Sequence, residues 1–160
     1  MSTNEAVIPV HIRQAIIDAF KVQMSTEISV AVSTEKGPVP AADLSVLSIM
    51  GVKSSNFIGS MALGFPKSTF LKVLETMIGE KHAEISAENA DACSELLNII
   101  YASARVKINE AGFDFNPAIP STICGKEVSM PLGQFNSFMN FSCQAPQGKF
   151  FLAFSLKRSS

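Results

Sequence analysis

The stretch Asp91-Ala-Cys-Ser-Glu95-Leu-Leu-Asn98-Ile-Ile-Tyr-Ala102-Ser-Ala-Arg105 decides how the chain is organised, because it has the periodicity of a long helix. With an advance of about 100° per residue, its apolar side chains and those that follow fall on one side. They are Cys93, Leu96, Leu97, Ile100, Ala104, Ile108 and Ala111. The opposite side, an arc of roughly 80°, carries Asp91, Glu95, Asn98, Ala102, Arg105 and Asn109. The pattern predicts a helix from Ala87 to Ala111, ended by Gly112, with one buried and one exposed face.

Two polar residues of the exposed face, Glu95 and Asn98, are three positions apart and therefore adjacent on the helix surface. Asn is unfavourable inside a helix, since its amide competes for backbone hydrogen bonds. A carboxylate can pair with a cation on a partner. A carboxamide can hold a water in line with a phosphoryl group whose metal and electrophile belong to that partner. The alternative interpretation is a solvated helix face without a special role, which is the ordinary state of such residues.

The composition is that of one globular domain, residues 1–160, with a polar terminus at residues 1–6 that is expected to fray. Apolar residues make up 47% and charged residues 17% of the chain, which disfavours disorder. A net charge of −1 without a basic run argues against a nucleic-acid-binding module. The apolar runs are shorter than the ~20 residues of a membrane span, and no secretory pattern occurs, so no membrane insertion is expected.

The chemistry-bearing side chains are sparse. Cys93, Cys124 and Cys143 are widely separated, and an odd count without ligand spacing predicts reduced thiols in a cytoplasmic protein. His11 and His82 lack a suitably spaced ligand partner and are interpreted as surface residues. We therefore expect neither a metal ion nor a cofactor in this chain. A small-molecule enzyme has little support, because no catalytic triad, phosphate-cradling glycine loop or nucleotide fingerprint occurs.

The rest of the chain predicts short strands around two further helices. The helices are expected over Pro9–Met24 and Pro66–Ile78, and the strands over Glu27–Ser33, Leu44–Val52, Phe57–Phe65, Ser121–Cys124, Val128–Leu132, Asn136–Gln144 and Phe150–Leu156. Pro146-Gln-Gly148 is expected to form the last hairpin turn, and Ser86 with Asn89 a helix cap. The phenylalanines of the last third of the chain are interpreted as core filling. They are Phe135, Phe138, Phe141, Phe150, Phe151 and Phe154. This order predicts an α+β fold with one mostly antiparallel sheet packed against about three helices.

Several of these segments together resemble the CheX family of chemotaxis phosphatases, relatives of CheC. A glycine-rich strand, Phe57-Ile-Gly-Ser-Met-Ala-Leu-Gly64, precedes the Pro66–Ile78 helix, which ends Met-Ile-Gly. Ser94-Glu-Leu-Leu-Asn-Ile99 follows on the long helix, and a proline-rich segment leads into Pro120-Ser-Thr-Ile-Cys-Gly125. The likeness extends from the first helix to the last strand and is more specific than the Glu-x-x-Asn motif alone.

The resemblance implies hydrolysis of the aspartyl phosphate on a phosphorylated response regulator of the CheY type. In that family the Glu, here Glu95, pairs with a lysine in the regulator's active site, and the Asn, here Asn98, orients the attacking water. The Mg²⁺ and the phosphorylated Asp belong to the regulator. Asp91, Ala102 and Arg105 share the exposed face and are expected to contact that partner.

The resemblance also implies a homodimer whose subunits pair through their sheets. The sequence is compatible with a dimer if the strand Asn136–Gln144 presents an apolar edge.

Two positions depart from the family pattern. Ala102 stands where a glycine commonly follows the Glu by seven residues, and Leu97 stands where a small residue is frequent. The alternative to a phosphatase is a CheX-like docking module that binds a response regulator or a motor component without dephosphorylating it. The intact Glu95 and Asn98 pair favours catalysis, whereas the extra methyl group of Ala102 favours docking.

Overall fold

The computed structural model describes residues 3–33, 43–128 and 137–159. The helices are α1 (Val7–Met24), α2 (Lys67–Ile78) and α3 (Asp91–Glu110), and the strands are β1 (Ser29–Ser33), β2 (Leu44–Lys53), β3 (Phe57–Pro66), β4 (Ser121–Val128), β5 (Ser137–Ala145) and β6 (Gly148–Arg158). Thr3–Ala6 forms a 3₁₀ turn leading into α1, where Ile8 is fully buried. The fraying expected at residues 1–6 stays a prediction. Residues 1–2 lie outside the described residues.

The strands form one sheet in the order β1-β5-β6-β3-β2-β4, and every neighbouring pair is antiparallel. The predicted last hairpin is confirmed. Pro146 and Gln147 make a two-residue turn between the paired Ala145 and Gly148, and Gly148 has a φ of 134°, which side chains disfavour. The described residues therefore confirm the predicted α+β class, with helices and an antiparallel sheet.

Two strand predictions need correction. The strand expected at Asn136–Gln144 is not an edge, because β5 pairs with β6 on one side and with β1 on the other, from Ser29 opposite Gln144 to Ser33 opposite Asn140. The periodicity of a strand does not reveal such a long-range neighbour. The strand expected at Ser121–Cys124 continues to Val128, since β4 pairs with β2 along that length. Residues 129–132 and 136 of the predicted strands lie outside the described residues.

Helix α3 packs its apolar face onto the sheet as predicted. Cys93, Leu96, Leu97, Ile100, Ala104 and Ile108 are all buried, and Ala111 is half-buried beyond the helix end. The helix begins at Asp91, four residues later than expected, because residues 87–90 form a turn. The predicted helix cap at Ser86 is wrong for the same reason, because the residue before α3 is Ala90, which makes no side-chain cap. Ser86 and Asn89 instead close the turn that precedes the helix. The Ser86 N–H donates to Asn89 Oδ1 (2.8 Å), and the Asn89 N–H donates to Ser86 Oγ (3.1 Å).

The core lies between the three described helices and one face of the sheet. The Phe150 ring stacks on Phe20 of α1 at 4.7 Å and on Phe65 of β3 at 4.9 Å between ring centroids, which ties the first helix to the middle of the sheet. Of the phenylalanines expected to fill the core, Phe141, Phe150 and Phe154 are buried in it, whereas Phe151 is buried in a second, smaller apolar cluster with Leu44, Leu47, Ala62 and Ala153. The side chains at 135 and 138 lie outside the described ones. Within the described residues, no helix is long and apolar enough to cross a membrane.

Candidate functional site

The exposed face of α3 carries Glu95, Asn98 and Ala102 in a row, with Asp91 exposed one turn before them. Successive members are three or four positions apart, so their side chains project from one stripe of the helix surface. Among the described residues, the Glu95 carboxylate and the Asn98 amide make no hydrogen bond or ion pair. Both groups are therefore available to a partner. We call Asp91, Glu95, Asn98 and Ala102 the α3 ridge.

A cluster of three hydroxyl groups holds α3 against the sheet beside Glu95. Ser94 of α3 bonds Thr122 of β4 and lies 3.3 Å from the hydroxyl of Ser48 on β2, and the Ser48 and Thr122 oxygens are 2.7 Å apart. Ser48 is fully buried, so these bonds satisfy a hydroxyl that water does not reach. Because Ser94 directly precedes Glu95, the cluster helps to fix the direction in which the Glu95 side chain projects from the helix.

The other end of the ridge is tied to the segment that follows the helix. The Tyr101 hydroxyl donates to the Asn116 carbonyl (2.6 Å), and the Arg105 guanidinium donates to the Phe115 carbonyl (3.4 Å). Asn109 both donates to and accepts from the Phe115 backbone, at 3.1 and 2.9 Å. Burial raises the pKa of Tyr101 to about 12, so this phenol remains a donor at neutral pH, although nearby Arg105 lowers the pKa in part.

These contacts divide the polar face that the sequence predicted. Glu95, Asn98, Ala102 and Asp91 stay exposed, whereas Arg105 is half-buried and its guanidinium binds the chain's own backbone. A partner contact through Arg105 remains a prediction, as do the roles of the other four residues. Sequence reasoning missed the hydroxyl cluster and Tyr101. The sequence did hold a signal that Ser48 is buried, because Ser48 lies two residues from Val46 and from Met50 and so shares the core-facing side of the strand with them.

The hydroxyl cluster leads to a first prediction. Thr122→Val keeps the shape of the side chain but removes one member, leaving the buried Ser48 with one fewer partner. We expect the free energy of unfolding in urea to fall by about 1–2 kcal/mol. Ser103→Ala, which removes an exposed hydroxyl from the same helix, is the matched control and should change stability by less than about 0.5 kcal/mol. Equal stability of both variants and the wild type would show that the cluster does not hold the helix.

A groove of about 330 Å³ borders the ridge on the side of α2. Its lining includes four carboxylates, those of Glu80, Glu88, Asp91 and Glu95, and none of its described lining residues is a lysine or arginine. His82, interpreted from the sequence as a surface residue, also lines the groove, with its Nε2 atom 3.7 Å from Glu80. The groove gives the Glu95 end of the ridge an electronegative surrounding that favours a positively charged partner group.

The cysteines do not add a nucleophile to this surface. Cys93 is buried and donates to the Leu63 carbonyl at 3.6 Å, and burial raises its pKa to about 12, although the Ser48 hydrogen bond opposes the shift. Burial also raises the pKa of Cys143. Cys124 is exposed, and none of the three thiols is paired in a disulfide. Within the described ranges, no group of three or more His, Cys, Asp or Glu side chains is placed to hold a metal ion.

The fold and the ridge define a class: an α+β protein that presents an exposed carboxylate and carboxamide side by side on a long helix packed against an antiparallel sheet. Residues 46–143, more than half of the chain, match the family model described as chemotaxis phosphatase CheX. The chain belongs to the CheX family. Among curated proteins, a search found no significant match.

Solved structures agree with this assignment in fold. CheX from Vibrio vulnificus is 21% identical, with a TM-score of 0.84, and the match covers 94% of this chain and 99% of that one. CheX from Desulfovibrio desulfuricans is 22% identical, with a TM-score of 0.82 and the same coverages of 94% and 99%. A CheX–CheY–BeF3–Mg²⁺ complex from Borrelia burgdorferi gives 18% identity, a TM-score of 0.72, and coverages of 93% and 97%.

Proposed function

We propose that this protein is a phosphatase that hydrolyses the aspartyl phosphate of a CheY-type response regulator, using Glu95 and Asn98. The observation that carries the proposal is the pair itself. In a member of the CheX family, a carboxylate and a carboxamide that have no partner among the described residues stand side by side on a helix anchored on both sides. The Borrelia burgdorferi protein of similar fold forms a complex with CheY, which supports the same class of partner here.

Glu95 is the residue that binds the partner. Its carboxylate would pair with the lysine of the regulator's active site and draw that lysine away from the phosphoryl group. The neighbouring carboxylates of Glu80, Glu88 and Asp91 strengthen the attraction for a cation before contact. Since these groups are mostly exposed, the association rate should fall as salt is added.

Asn98 is the residue that acts on water. Its amide offers both a donor and an acceptor, so it can hold one water molecule in the orientation needed for in-line attack on phosphorus. Attack on an acyl phosphate that is already bound to Mg²⁺ needs mainly positioning, which a rigid helix supplies. In this proposal the Mg²⁺ and the phosphorylated Asp are the regulator's, and this chain contributes the water-directing amide.

Three further residues and a second copy complete the proposal. Asp91 and Ala102 extend the contact along the ridge, and Arg105 lies at its far end. A homodimer would form through an edge of the sheet. In the described residues those edges are β1 and β4, which pair only with β5 and β2. Edge strands of this kind readily accept a further strand.

The second candidate function is a docking module that binds the regulator without dephosphorylating it, favoured by the exposed methyl group of Ala102. The rate of decay of a phosphorylated regulator, measured together with binding, separates the two functions. A phosphatase speeds decay at concentrations far below that of the regulator. A docking module binds and leaves the decay rate unchanged, and that result would overturn the proposed function.

A further inference from the structure

The segment between α3 and β4 presents an exposed apolar side chain. Ile119 is 90% exposed, more than any other large apolar residue among the described ones. Exposure of a single aliphatic residue is common on protein surfaces. The setting of Ile119 is less common, because the chain before it and the chain after it are both hydrogen-bonded to the helix that carries Glu95 and Asn98.

The anchors lie on both sides of Ile119. Before it, the Asn116 N–H donates to the Lys53 carbonyl (2.8 Å), and the Asn116 carbonyl accepts from Tyr101. After it, Thr122 bonds Ser94. Pro117 and Pro120 flank the residue with fixed φ angles, and Ala118 packs against the core. Ile119 therefore projects from a restrained backbone and would lose little conformational freedom on binding.

The same anchors lead the segment past the level of Asn98 on the helix, from Tyr101 to Ser94. Ser94 and Tyr101 are seven residues apart and project within about 20° of each other, while Asn98 projects about 40° from Ser94. The two anchors thus bracket Asn98 on one flank of the helix. They are separated by about 10 Å of helix rise, whereas the residues between Asn116 and Thr122 can span about 20 Å when extended. The segment is therefore not fully extended between its anchors, and Ile119 lies at its middle in sequence.

We infer that Ile119 is a preformed apolar contact for the response regulator, covering an apolar patch of the regulator's surface beside its phosphorylated Asp. The inference rests on the proposed function, since Asn98 can enter the regulator's site only if the neighbouring surfaces meet. Ile119 would add an apolar contact to the charged and polar contacts of the α3 ridge. Glu95 and its acidic surroundings attract a charge, whereas Ile119 gains free energy by leaving water. Apolar anchors beside polar contacts commonly carry much of an interface's affinity.

The test compares Ile119→Ser with Val22→Ser. Val22 is 75% exposed on α1, outside both the ridge and the segment that carries Ile119. The dissociation constant is measured for the CheY-type regulator loaded with Mg²⁺ and beryllofluoride, so that binding is read without hydrolysis. We expect Ile119→Ser to raise the dissociation constant about tenfold, with kcat for the phosphorylated regulator within about twofold of wild type. Val22→Ser should leave both within about twofold.

A dissociation constant that Ile119→Ser leaves within twofold, or that Val22→Ser raises equally, overturns the inference. If the wild type binds the regulator but does not hydrolyse its phosphate, the proposed catalysis fails, while Ile119 is still judged by the dissociation constant. If the wild type does not bind a regulator, both proposals are overturned together. The exposed position of Ile119 means that the variant should fold, which circular dichroism verifies.

Discussion

Asn98→Ala is expected to lower the turnover of a phosphorylated CheY-type regulator by at least about a hundredfold, because a misplaced water loses that much of the positioning advantage. Binding should be nearly unchanged, with a dissociation constant within about threefold of wild type, since the amide acts on water and makes no charge pair. The fold should be unaffected, as Asn98 is exposed, has no partner among the described residues, and is replaced by a better helix former. Initial rates of phosphate release at saturating regulator measure the effect.

Ser103→Ala is the matched control for Asn98→Ala. It removes a polar group from the exposed surface of the same helix, away from the ridge, and should keep wild-type turnover. Full activity of Asn98→Ala would disprove the catalytic assignment. A parallel loss of binding and turnover would instead make Asn98 a contact residue, as in the docking-module alternative.

Glu95→Ala is expected to weaken binding and to lower kcat/KM together, by about tenfold to a hundredfold, as removal of a charged contact partly shielded from water typically does. The effect should be larger at low salt, because the acidic groove that surrounds Glu95 also attracts the partner's lysine. Isothermal titration gives the dissociation constant, and the salt series separates the charge contribution from packing.

Glu110→Ala is a control of equal charge change at the other end of α3. Glu110 is exposed, and in the part of the chain that the structure describes its one ion pair is a surface pair with Lys107, at 3.7 Å. Such a pair contributes little, so regulator binding should stay within about twofold of wild type. If Glu95→Ala and Glu110→Ala weaken binding equally, the effect is one of net charge, and Glu95 has no specific partner.

The sequence was most informative where one helix packs against one sheet. The spacing of Leu96, Leu97 and Ile100 predicted the buried face of α3 and, with it, the exposed positions of Glu95 and Asn98. Periodicity succeeds here because burial of a helix depends on its own sequence of side chains. The family resemblance, carried by several separate motifs, supplied the expected chemistry that the Glu-x-x-Asn pair alone did not specify.

Other features depend on contacts distant in sequence and were beyond such reasoning. β5 lies inside the sheet because β1, which is distant from it in sequence, pairs with its second side. The alternation of side chains along β5 suits an edge strand equally well. The Ser48 and Thr122 hydroxyls are 74 residues apart and become a cluster only when β2, α3 and β4 meet. Tyr101 lay between the two predicted faces, and its hydroxyl reaches the Asn116 backbone only because the following segment folds back. Local sequence patterns do not show which distant segments of the chain will come into contact.

The most direct test of the central claim is the decay of a phosphorylated CheY-type regulator in Mg²⁺, alone and with this protein at about one-tenth of the regulator concentration. The proposed catalysis predicts a much faster decay in which each molecule of protein releases many phosphates, and in which the Asn98→Ala protein behaves as if absent. An unchanged decay rate, at concentrations where binding to the same regulator is measured, would contradict the proposal and leave a docking protein built on the CheX fold.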